Sequence, residues 1–480
     1  MSFRESERSS PNRSENSKAA PRFELGIKDL QSSALPLGHA AAGEPLLSPA
    51  DRISEGTSDL LVLSNGHGED LIALRILEAL HALEPQRKLA VLPLVGEGRS
   101  FTLAVQQGWL TLVGPNAQLP SGGFSNQSVR GLLTDLIAGL PLLTWRQWRC
   151  LRQQKRRVRA VLAVGDLLPL LMAWGSGRPF GFVGTPKSDF TWSSGPGQHL
   201  SDAYHRLKGS EWDPWEWALM GSTKCRLVAV RDRLTSRGLR RHGVAALAPG
   251  NPVMDGLLKS HPPAALNRCR RILLLCGSRM PEALTNAERL LSSLQGFNSD
   301  VPITLLMATG SQPAPQTLEP LFLRLGFRRC LPPADTLQAQ SCWVSGVQML
   351  LVGSGCFNQW ANWAEVGLAT AGTATEQLVG LGIPALSLPG QGPQFTQGFA
   401  ERQSRLLGGA VRTCRSGEEL RNKLGALLKD AALRQQLGRI GRQRMGPAGG
   451  SRALAQLVAE RLIADTDETS TRLHGQHPGP

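Results

Sequence analysis

Short apolar runs alternate with helical patterns along most of the chain. The first run spans residues 59–64 and is followed by the glycine turn Asn65-Gly66-His67-Gly68 and a helical pattern that reaches about residue 83. Apolar runs of this length, bounded by turn residues, are typical of strands buried on both faces of a parallel sheet. Similar apolar runs predict further strands at 89–94, 160–164, 180–183 and 227–230. We therefore expect a parallel sheet whose strands are joined by crossover helices.

A second series of such units follows the proline pair at residues 262 and 263. It begins with the apolar run 271–276. Its other strands are predicted at 303–307, 349–352, 368–371 and 385–388. Two Rossmann-like α/β domains in tandem leave a cleft between the carboxyl ends of their sheets, and open α/β sheets bind ligands at that edge. Functional residues are therefore expected in the loops that face the cleft.

These patterns divide the chain into five segments. We predict flexible tails at 1–57 and 466–480, because both are polar and lack a sustained period. Between the tails we predict an N-terminal Rossmann-like domain at 58–258 and a C-terminal Rossmann-like domain at 259–448. A C-terminal helix at 449–465 is expected to return to the N-terminal domain.

Composition and charge narrow the classes of partner. The 480 residues are 41% hydrophobic and 19% charged, which is typical of a globular protein of about two domains. The formal net charge of +15 predicts a surface that attracts phosphate groups on nucleic acid, anionic lipid or a phosphorylated substrate. No motif of a base-stacking module is recognisable, with 11 Trp against the single Tyr204. We therefore do not expect nucleic acid as a partner.

The eight cysteines form no CxxC pair, and no histidine lies at zinc-ligand spacing from them. They indicate free thiols in a reducing compartment, and no metal site is predicted. The first eighteen residues contain no apolar core of a signal peptide, and no apolar run approaches the roughly 20 residues that span a bilayer. We expect a cytoplasmic protein, or one bound peripherally at the inner face of a membrane.

The stretch 371–378 reads Ala-Gly-Thr-Ala-Thr-Glu-Gln-Leu and is the most informative for chemistry. A strand that ends in small residues lets Gly372, Thr373 and Ala374 present backbone N–H groups at a helix N-terminus, which suits a diphosphate. Glu376 follows one turn into the helix, where it is placed to bind ribose hydroxyls. The alternative is purely structural, because Thr373 and Glu376 have the spacing of a capping box.

The longer string, with Gly382-Ile383-Pro384 and the later Gln394, resembles the donor site of GT-B glycosyltransferases such as lipid-A-disaccharide synthase and the peptidoglycan GlcNAc transferase. Three further stretches match lipid-A-disaccharide synthase in the same order, so the resemblance covers most of residues 59–410. They are Ser64-Asn65-Gly66-His67-Gly68-Glu69-Asp70, Gly250-Asn251-Pro252-Val253-Met254-Asp255 and Leu275-Cys276-Gly277-Ser278-Arg279. The resemblance implies a GT-B fold whose N-terminal domain holds the acceptor and whose C-terminal domain holds a UDP-sugar donor.

The match at 275–279 adds Gly277, Ser278 and Arg279 to the implied donor site. Arg279 follows a predicted strand end and a loop of small residues, so its guanidinium could reach a donor diphosphate and neutralise its charge as the nucleotide leaves. A surface arginine beside a turn is the alternative.

The first glycine loop has a different implied role. Gly66, Gly68 and Asp70 would form a loop on the acceptor side, by resemblance to the loop that ends Ser-Gly-Asp in the family. NAD binding is disfavoured, because Leu71 occupies the third glycine position of the dinucleotide fingerprint. We expect no cofactor and no required metal, with a UDP-sugar as substrate.

Inverting sugar transfer needs a group that removes the proton of the acceptor hydroxyl. Asp166 follows the predicted strand 160–164, where the related synthase carries an Asp in an Asp-x-Pro-Asp context. Asp166 is therefore our first candidate for the base, and His67 is the second. This chain reads Gly165-Asp166-Leu167-Leu168-Pro169, so a helix N-cap is the structural alternative for Asp166.

A cluster of tryptophan and arginine occupies residues 144–157. Trp145, Trp148 and Leu151 are predicted to share one face of a helix, and tryptophan beside arginine suits an anionic membrane surface. The residues predicted to contact a membrane are Trp145, Trp148, Arg149 and Arg152. The alternative is an amphipathic helix that packs its apolar face against the sheet.

The resemblance implies a hexosyltransferase that moves a GlcNAc-type sugar from a UDP-sugar to a lipid or amphiphilic acceptor with inversion. Two alternatives stay open. A UDP-sugar epimerase has the same two-domain architecture and donor site without an acceptor, although its cluster of additional acidic and His residues is not evident. A catalytically silent protein that binds a nucleotide sugar or a lipid would retain the fold without the base, which the departures around Asp166 allow.

Overall fold

The computed structural model describes residues 57–115, 140–194, 200–257, 260–310, 312–334, 337–390 and 395–464. Apart from Thr57, both predicted tails lie outside these ranges. The described chain forms two α/β domains, each built on its own sheet.

The first sheet has seven strands within the described residues, and all of them run parallel. The strands are β1 (Ser58–Ser64), β2 (Leu89–Pro93), β3 (Leu110–Leu112), β4 (Val158–Gly165), β5 (Phe180–Gly184), β6 (Cys225–Val230) and β7 (Ala246–Leu247). They lie in the order β3-β2-β1-β4-β5-β6-β7. Strand β1, which lies between β2 and β4, is fully buried from Leu60 to Leu63, which explains why its sequence is continuously apolar and does not alternate.

The second sheet has eight strands over the described part of the chain. The strands are β8 (Arg270–Leu275), β9 (Ile303–Thr309), β10 (Arg328–Cys330), β11 (Ser341–Ser345), β12 (Gln348–Ser354), β13 (Val366–Ala369), β14 (Ala385–Ser387) and β15 (Val411–Thr413). Their order is β10-β11-β12-β9-β8-β13-β14-β15. The pairs β10–β11 and β11–β12 are antiparallel, and the other pairs are parallel.

Helices connect the strands of both sheets. In the first domain they are α1 (His67–Leu83), α2 (Thr102–Gln106), α3 (Leu140–Gln154), α4 (Leu167–Gly175), α5 (Phe190–Ser193), α6 (Leu200–Lys208), α7 (Pro214–Met220) and α8 (Arg233–Arg241). In the second domain they are α9 (Glu282–Ser293), α10 (Pro315–Arg324), α11 (Phe357–Trp363), α12 (Thr373–Gly380), α13 (Gln397–Leu406), α14 (Gly417–Lys429) and α15 (Ala431–Met445). The chain then continues as α16 (Gly450–Val458) and a π-helical turn (Ala459–Ala464).

The chain crosses between the domains at Gly250-Asn251 and again at Gly449-Gly450. A Cβ atom on Gly450 would lie 2.7 Å from the backbone nitrogen of Asn251, so the two crossings can pack this closely only with glycine at position 450. The Asp255 carboxylate accepts hydrogen bonds from the N–H groups of Gly449 and Ser451, the latter at 2.6 Å. The matched stretch 250–255 therefore caps the helix that follows the second crossing.

The segment after the second crossing packs on the first domain. Helix α16 lies against α1, and Leu462 is fully buried beside Gly181 of β5. Residues that follow strands of both sheets line the same cavities, so the carboxyl ends of the two sheets face one cleft. The predicted α/β architecture of the GT-B type, with two Rossmann-like domains around a cleft, is confirmed.

Candidate functional site

Two cavities lie side by side in the cleft. The first has a volume of about 770 Å³ and the second about 650 Å³, both inside the range of about 300–1,000 Å³ that is typical of small-molecule sites. Gly68, Gly372, Thr373 and Phe399 line both cavities and form a shared wall. Molecules bound in the two cavities would therefore lie next to each other.

The first cavity collects most of the predicted donor residues. Its lining includes Gly277, Ser278, Arg279, Gly372, Thr373 and Ala374. The first three residues follow β8 and the last three follow β13, and these two strands are neighbours in the second sheet. Two segments that are distant in sequence thus meet at one sheet edge.

The loop after β8 is held in place by helix α9. Asn286 Nδ2 donates a hydrogen bond to the carbonyl oxygen of Cys276 at 3.2 Å. Gly277 has a φ of +90°, a left-handed conformation that favours glycine. This turn presents Arg279 to the first cavity.

The N-terminus of α12 opens onto the first cavity. Its N-cap residue is Gly372 and no side chain caps it, so the capping box suggested by the spacing of Thr373 and Glu376 does not form. Gln403 Nε2 donates hydrogen bonds to the carbonyls of Ala371 and Gly372 at 3.2 and 3.3 Å, which fixes the turn before the helix. The helix therefore offers its positive end and its first backbone N–H groups to the cavity.

Glu376 does not line the first cavity, whereas the next residue, Gln377, does. Glu376 lines the second cavity, and its Oε2 accepts a hydrogen bond from Arg231 Nη2 at 2.8 Å. Successive residues of an α-helix are rotated by about 100°, so one position decides which cavity a side chain reaches. In this structure Glu376 therefore joins the two domains through Arg231, and its contact with a ribose stays a prediction.

The second cavity brings charged groups of both domains together. Its lining includes Glu69, Asp166, Lys187, Arg231, Glu376 and Arg402. Lys187 Nζ lies 2.6 Å from Glu216, and Arg402 Nη2 lies 2.5 Å from Glu211. The second cavity is therefore a polar site with charges of both signs.

Asp166 is the N-cap of α4, which is the structural role that we considered as the alternative to a catalytic base. Its Oδ1 accepts the N–H of Leu168 at 3.2 Å and the side-chain amide of Asn65 at 2.8 Å. Burial raises the pKa of Asp166, while the Leu168 N–H and the charge of Lys187 lower it. Asp166 thus ties the β1–α1 loop to the end of β4 and also lines the second cavity.

The first turn of α1 reaches the second domain. Gly68 lies in the shared wall, and a Cβ atom there would lie 3.1 Å from Thr373 Oγ1. Gly66 is the N-cap of α1 with a φ of +117°. His67, the second candidate for the base, is the first residue of α1, and its side chain lies outside the described part of the structure.

Asp70 is a buried residue of α1. It is 4% exposed, it is absent from the lining of both cavities, and its Oδ1 accepts a hydrogen bond from Ser64 Oγ at 2.6 Å. This position of α1 points back toward β1, so the structure places Asp70 in a buried contact with Ser64, and an acceptor-side role for Asp70 stays a prediction. Burial raises the pKa of Asp70 from 3.8 to about 7, against the lowering effect of the Ser64 hydrogen bond.

Replacement of Asp70 by asparagine is expected to stabilise the protein at pH 8 and not at pH 4. The pKa of Asp70 is higher in the folded than in the unfolded chain, because burial favours the neutral carboxyl. Asp70 therefore favours folding below about pH 4, and this contribution to stability is lost as the pH rises to about 7. Asparagine keeps an acceptor for Ser64 without a charge. Urea unfolding at both pH values measures the difference, and equal destabilisation of Asp70→Asn at both would contradict the buried, neutral carboxyl.

The first cavity also contains groups that the sequence did not indicate. Arg289 donates a hydrogen bond from Nη2 to the Pro389 carbonyl at 2.5 Å, whereas its Nη1 is buried without a partner in the described structure. Thr309 Oγ1 is likewise buried without a partner there. Both residues line the first cavity, and buried polar groups of this kind are stabilised when a ligand completes their hydrogen bonds. Their only sequence signal is the position of Thr309 at the end of an apolar run.

Helix α3 places its tryptophans in different surroundings. Trp145 is 55% exposed, and the guanidinium of Arg149 lies 5.7 Å from the centre of its ring. Trp148 packs into the first domain, where a Cβ atom on Gly175 would lie 1.9 Å from its ring. Trp148 is partly buried against the core of the first domain, whereas Trp145, Arg149 and Arg152 are exposed, and the membrane contact stays a prediction.

The sequence also led to predictions about Gln394, metal binding and membrane-spanning helices. Gln394, the remaining predicted donor residue, lies outside the described residues. Within the described ranges, no group of three or more His, Cys, Asp or Glu side chains is placed to hold a metal ion. Among the helices of this part of the chain, none is both long enough and apolar enough to cross a membrane.

No protein-family model matches the chain, and no curated protein matches it in sequence. Solved structures with a similar fold include MurG from Acinetobacter baumannii, at 15% identity over 83% of this chain and 99% of that chain, with a TM-score of 0.44. UDP-GlcNAc 2-epimerase from Neisseria meningitidis bound to UDP-GlcNAc is 13% identical over 84% and 99%, with a TM-score of 0.46. Spinosyn rhamnosyltransferase SpnG complexed with spinosyn aglycone is 15% identical over 83% and 98%, with a TM-score of 0.45.

Proposed function

We propose that this protein is a glycosyltransferase that moves a GlcNAc-type sugar from a UDP-sugar to a lipid or amphiphilic acceptor, with inversion at the transferred carbon. One observation carries the proposal. The two segments with a donor-site pattern, 277–279 and 372–374, come together around one cavity at the carboxyl edge of the second sheet.

In the proposed reaction the donor diphosphate lies at the N-terminus of α12. Breaking the bond between sugar and diphosphate leaves additional negative charge on the leaving phosphate. The first N–H groups of α12, the Thr373 hydroxyl and the Arg279 guanidinium would bind that charge. We therefore propose a transfer that requires no metal ion.

We place the acceptor in the second cavity, because this cavity adjoins the donor cavity at Gly68 and Thr373. Its lining combines the charged groups described above with apolar side chains. The apolar members include Ile72, Val183, Val253, Leu406 and Leu454. A cavity with both kinds of surface suits an acceptor that has a polar hydroxyl-bearing end and an apolar part.

The proposal is tested by incubating the purified protein with a panel of UDP-sugars, with and without a membrane lipid extract. Equilibrium dialysis measures donor binding, and the assay follows UDP release and labelled sugar in the lipid phase. We expect UDP release that depends on the lipid extract. No binding of any UDP-sugar would reject the proposal, binding without turnover would indicate a silent binder, and conversion of the sugar without acceptor would indicate an epimerase.

A lipid acceptor would require the protein to approach a membrane, and we propose the exposed part of α3 as the contact. Leu142 and Trp145 are 51% and 55% exposed and lie beside exposed arginines. Amphipathic tryptophan together with cationic side chains is typical of surfaces that bind anionic headgroups. This surface belongs to the first domain, which is the acceptor side of the proposed reaction.

Replacement of Trp145 by alanine is expected to weaken binding to anionic vesicles and to leave the melting temperature unchanged, because Trp145 is largely exposed. Flotation with phosphatidylglycerol vesicles at low salt measures the effect, and neutral phosphatidylcholine vesicles test the dependence on charge. Trp215→Ala is the matched control, since Trp215 is 54% exposed on α7. Equal flotation of the Trp145 variant and the wild type would reject this membrane contact.

A further inference from the structure

We infer that Glu69 is the group that removes the proton from the acceptor hydroxyl, with Asp166 as a positioning residue beside it. This inference rests on the proposed sugar transfer. Both carboxylates line the second cavity, and Glu69 directly follows Gly68 in the wall shared with the first cavity. A base at this position lies next to the border across which the sugar would pass.

The hydrogen bonds of Asp166 favour a positioning role. Its Oδ1 accepts from both Asn65 Nδ2 and the Leu168 N–H, so this oxygen is engaged in holding the β1–α1 loop and the start of α4. Protonation of Asp166 during each turnover would weaken these two hydrogen bonds. Asp166 is therefore better suited to hold Asn65 of the β1–α1 loop, just before the first turn of α1 that contains Glu69.

Glu69 is less constrained than Asp166. Among the described residues, the side-chain hydrogen bond to its carboxylate comes from Thr185 Oγ1, at the long distance of 3.4 Å. Gly165, at the end of β4, has a φ of +137°, and a Cβ atom there would lie 3.5 Å from Glu69 Cγ. Glycine at position 165 therefore keeps the space beside Glu69 open.

Charged groups from five segments of the chain act on Glu69 directly or through one neighbouring residue. They are Asp70 on α1, Asp166 at the start of α4, Lys187 after β5, Arg231 after β6 and Arg279 after β8. Asp70, Asp166 and Arg279 act on Glu69 directly, Lys187 acts on Asp166, and Arg231 Nη1 donates to the carbonyl of Thr185. Glu69 is therefore coupled both to the acceptor cavity and to Arg279 of the donor cavity.

Burial raises the pKa of Glu69 to about 7; the N–H of Glu69 itself and the Thr185 hydroxyl lower it, while the neighbouring carboxyls of Asp166 and Asp70 raise it further. A carboxyl with a pKa near neutral is an effective general base at the pH of most cells. The ionised form is the active one, so the rate should rise as the pH increases through about 7.

Sugar transfer breaks one bond at the anomeric carbon and forms another. The acceptor oxygen forms a bond to the anomeric carbon of the sugar while the bond from that carbon to the diphosphate oxygen breaks. The electron pair of the broken bond stays on the diphosphate oxygen, which Arg279 and the N-terminus of α12 would stabilise. The hydroxyl proton passes to a carboxylate oxygen of Glu69, which returns it to water after UDP leaves.

Replacement of Glu69 by glutamine tests the assignment in the full-length protein. We expect kcat for sugar transfer to fall by about 10²–10⁴-fold, the usual contribution of a general base, while the Kd for UDP stays close to the wild-type value and the melting temperature at pH 7 does not fall, because burial of the charged form of Glu69 is unfavourable. Glu69→Asp should retain part of the activity. Glu78→Gln is the matched control, because Glu78 is an exposed residue of the same helix that lines neither cavity.

The pH profile separates Glu69 from Asp166. If Asp166 only positions Glu69, then Asp166→Asn retains a rise of rate with pH, and its midpoint moves to a lower pH because a negative charge beside Glu69 is removed. If Asp166→Asn abolishes the rise and Glu69→Gln does not, Asp166 is the base and the inference is overturned. If the wild type transfers sugar and Glu69→Gln has an unchanged kcat, the assignment of Glu69 is overturned and the proposed function stands. If the wild type transfers no sugar, the proposed function is overturned as well.

Discussion

Replacement of Arg279 by alanine is expected to lower kcat/KM for the nucleotide sugar by about 10²–10³-fold, the loss typical of removing one donor to a developing negative charge. Arg279 lines the first cavity beside Gly277 and Ser278. A guanidinium binds phosphate oxygens through charge-assisted hydrogen bonds, which strengthen as the leaving group gains charge. Because this gain occurs in the transition state, kcat should fall more than the affinity for UDP.

Initial rates at several donor concentrations separate kcat from KM, and a UDP titration gives Kd. Arg279→Lys keeps the charge without the planar, two-pronged donor geometry, so an intermediate loss is expected. Arg324→Ala is the matched control, because Arg324 is 62% exposed, pairs with Glu288 and lines neither cavity. Equal activity of the Arg279→Ala and Arg324→Ala variants would reject the role of Arg279 at the diphosphate.

Much of the fold could be predicted because a buried parallel sheet imposes a local pattern on the sequence. Strands such as β1 and β4 are buried on both faces and appear as continuous apolar runs. With the exception of β11, the strands that the sequence did not indicate carry a weaker pattern. β10 consists of Arg328, Arg329 and Cys330, with both arginines exposed, and β3, β7 and β15 are two or three residues long. Such strands are defined by pairing with a neighbour, which a local pattern does not contain.

The candidate site was predictable where it depends on the ends of strands. The loops that contain Arg279 and Thr373 follow apolar runs, and the structure places both at one cavity. The side-chain directions on α12 were not predictable, since they depend on how the helix is rotated about its axis. The ion pair between Arg231 and Glu376 joins positions 145 residues apart that lie in different domains. No local spacing indicates such a partner.

Replacement of Glu376 by leucine is expected to lower the free energy of unfolding by about 3–5 kcal/mol, the usual cost of leaving one charge of a buried pair without its partner. The side chains of Arg231 and Glu376 are 8% and 16% exposed, and Nη2 and Oε2 lie 2.8 Å apart. The other contacts of the Arg231 guanidinium are longer, at 3.4 Å to the Thr185 carbonyl and 3.6 Å to Met445 Sδ. They compensate little for the lost carboxylate, so the desolvation cost of Arg231 remains.

The double variant with Arg231→Met and Glu376→Leu separates the attraction within the pair from this desolvation cost. We expect it to regain most of the lost stability, because a buried ion pair replaced by apolar side chains of similar volume is often close to neutral. Urea unfolding of the wild type, both single variants and the double variant gives the coupling energy.

UDP binding tests the other role predicted for Glu376, which is contact with the ribose of the donor. Since Glu376 lies outside the first cavity, Kd should change little. A tenfold rise in Kd, about 1.4 kcal/mol, with unchanged unfolding would instead assign Glu376 to the ribose and reject its role in joining the domains.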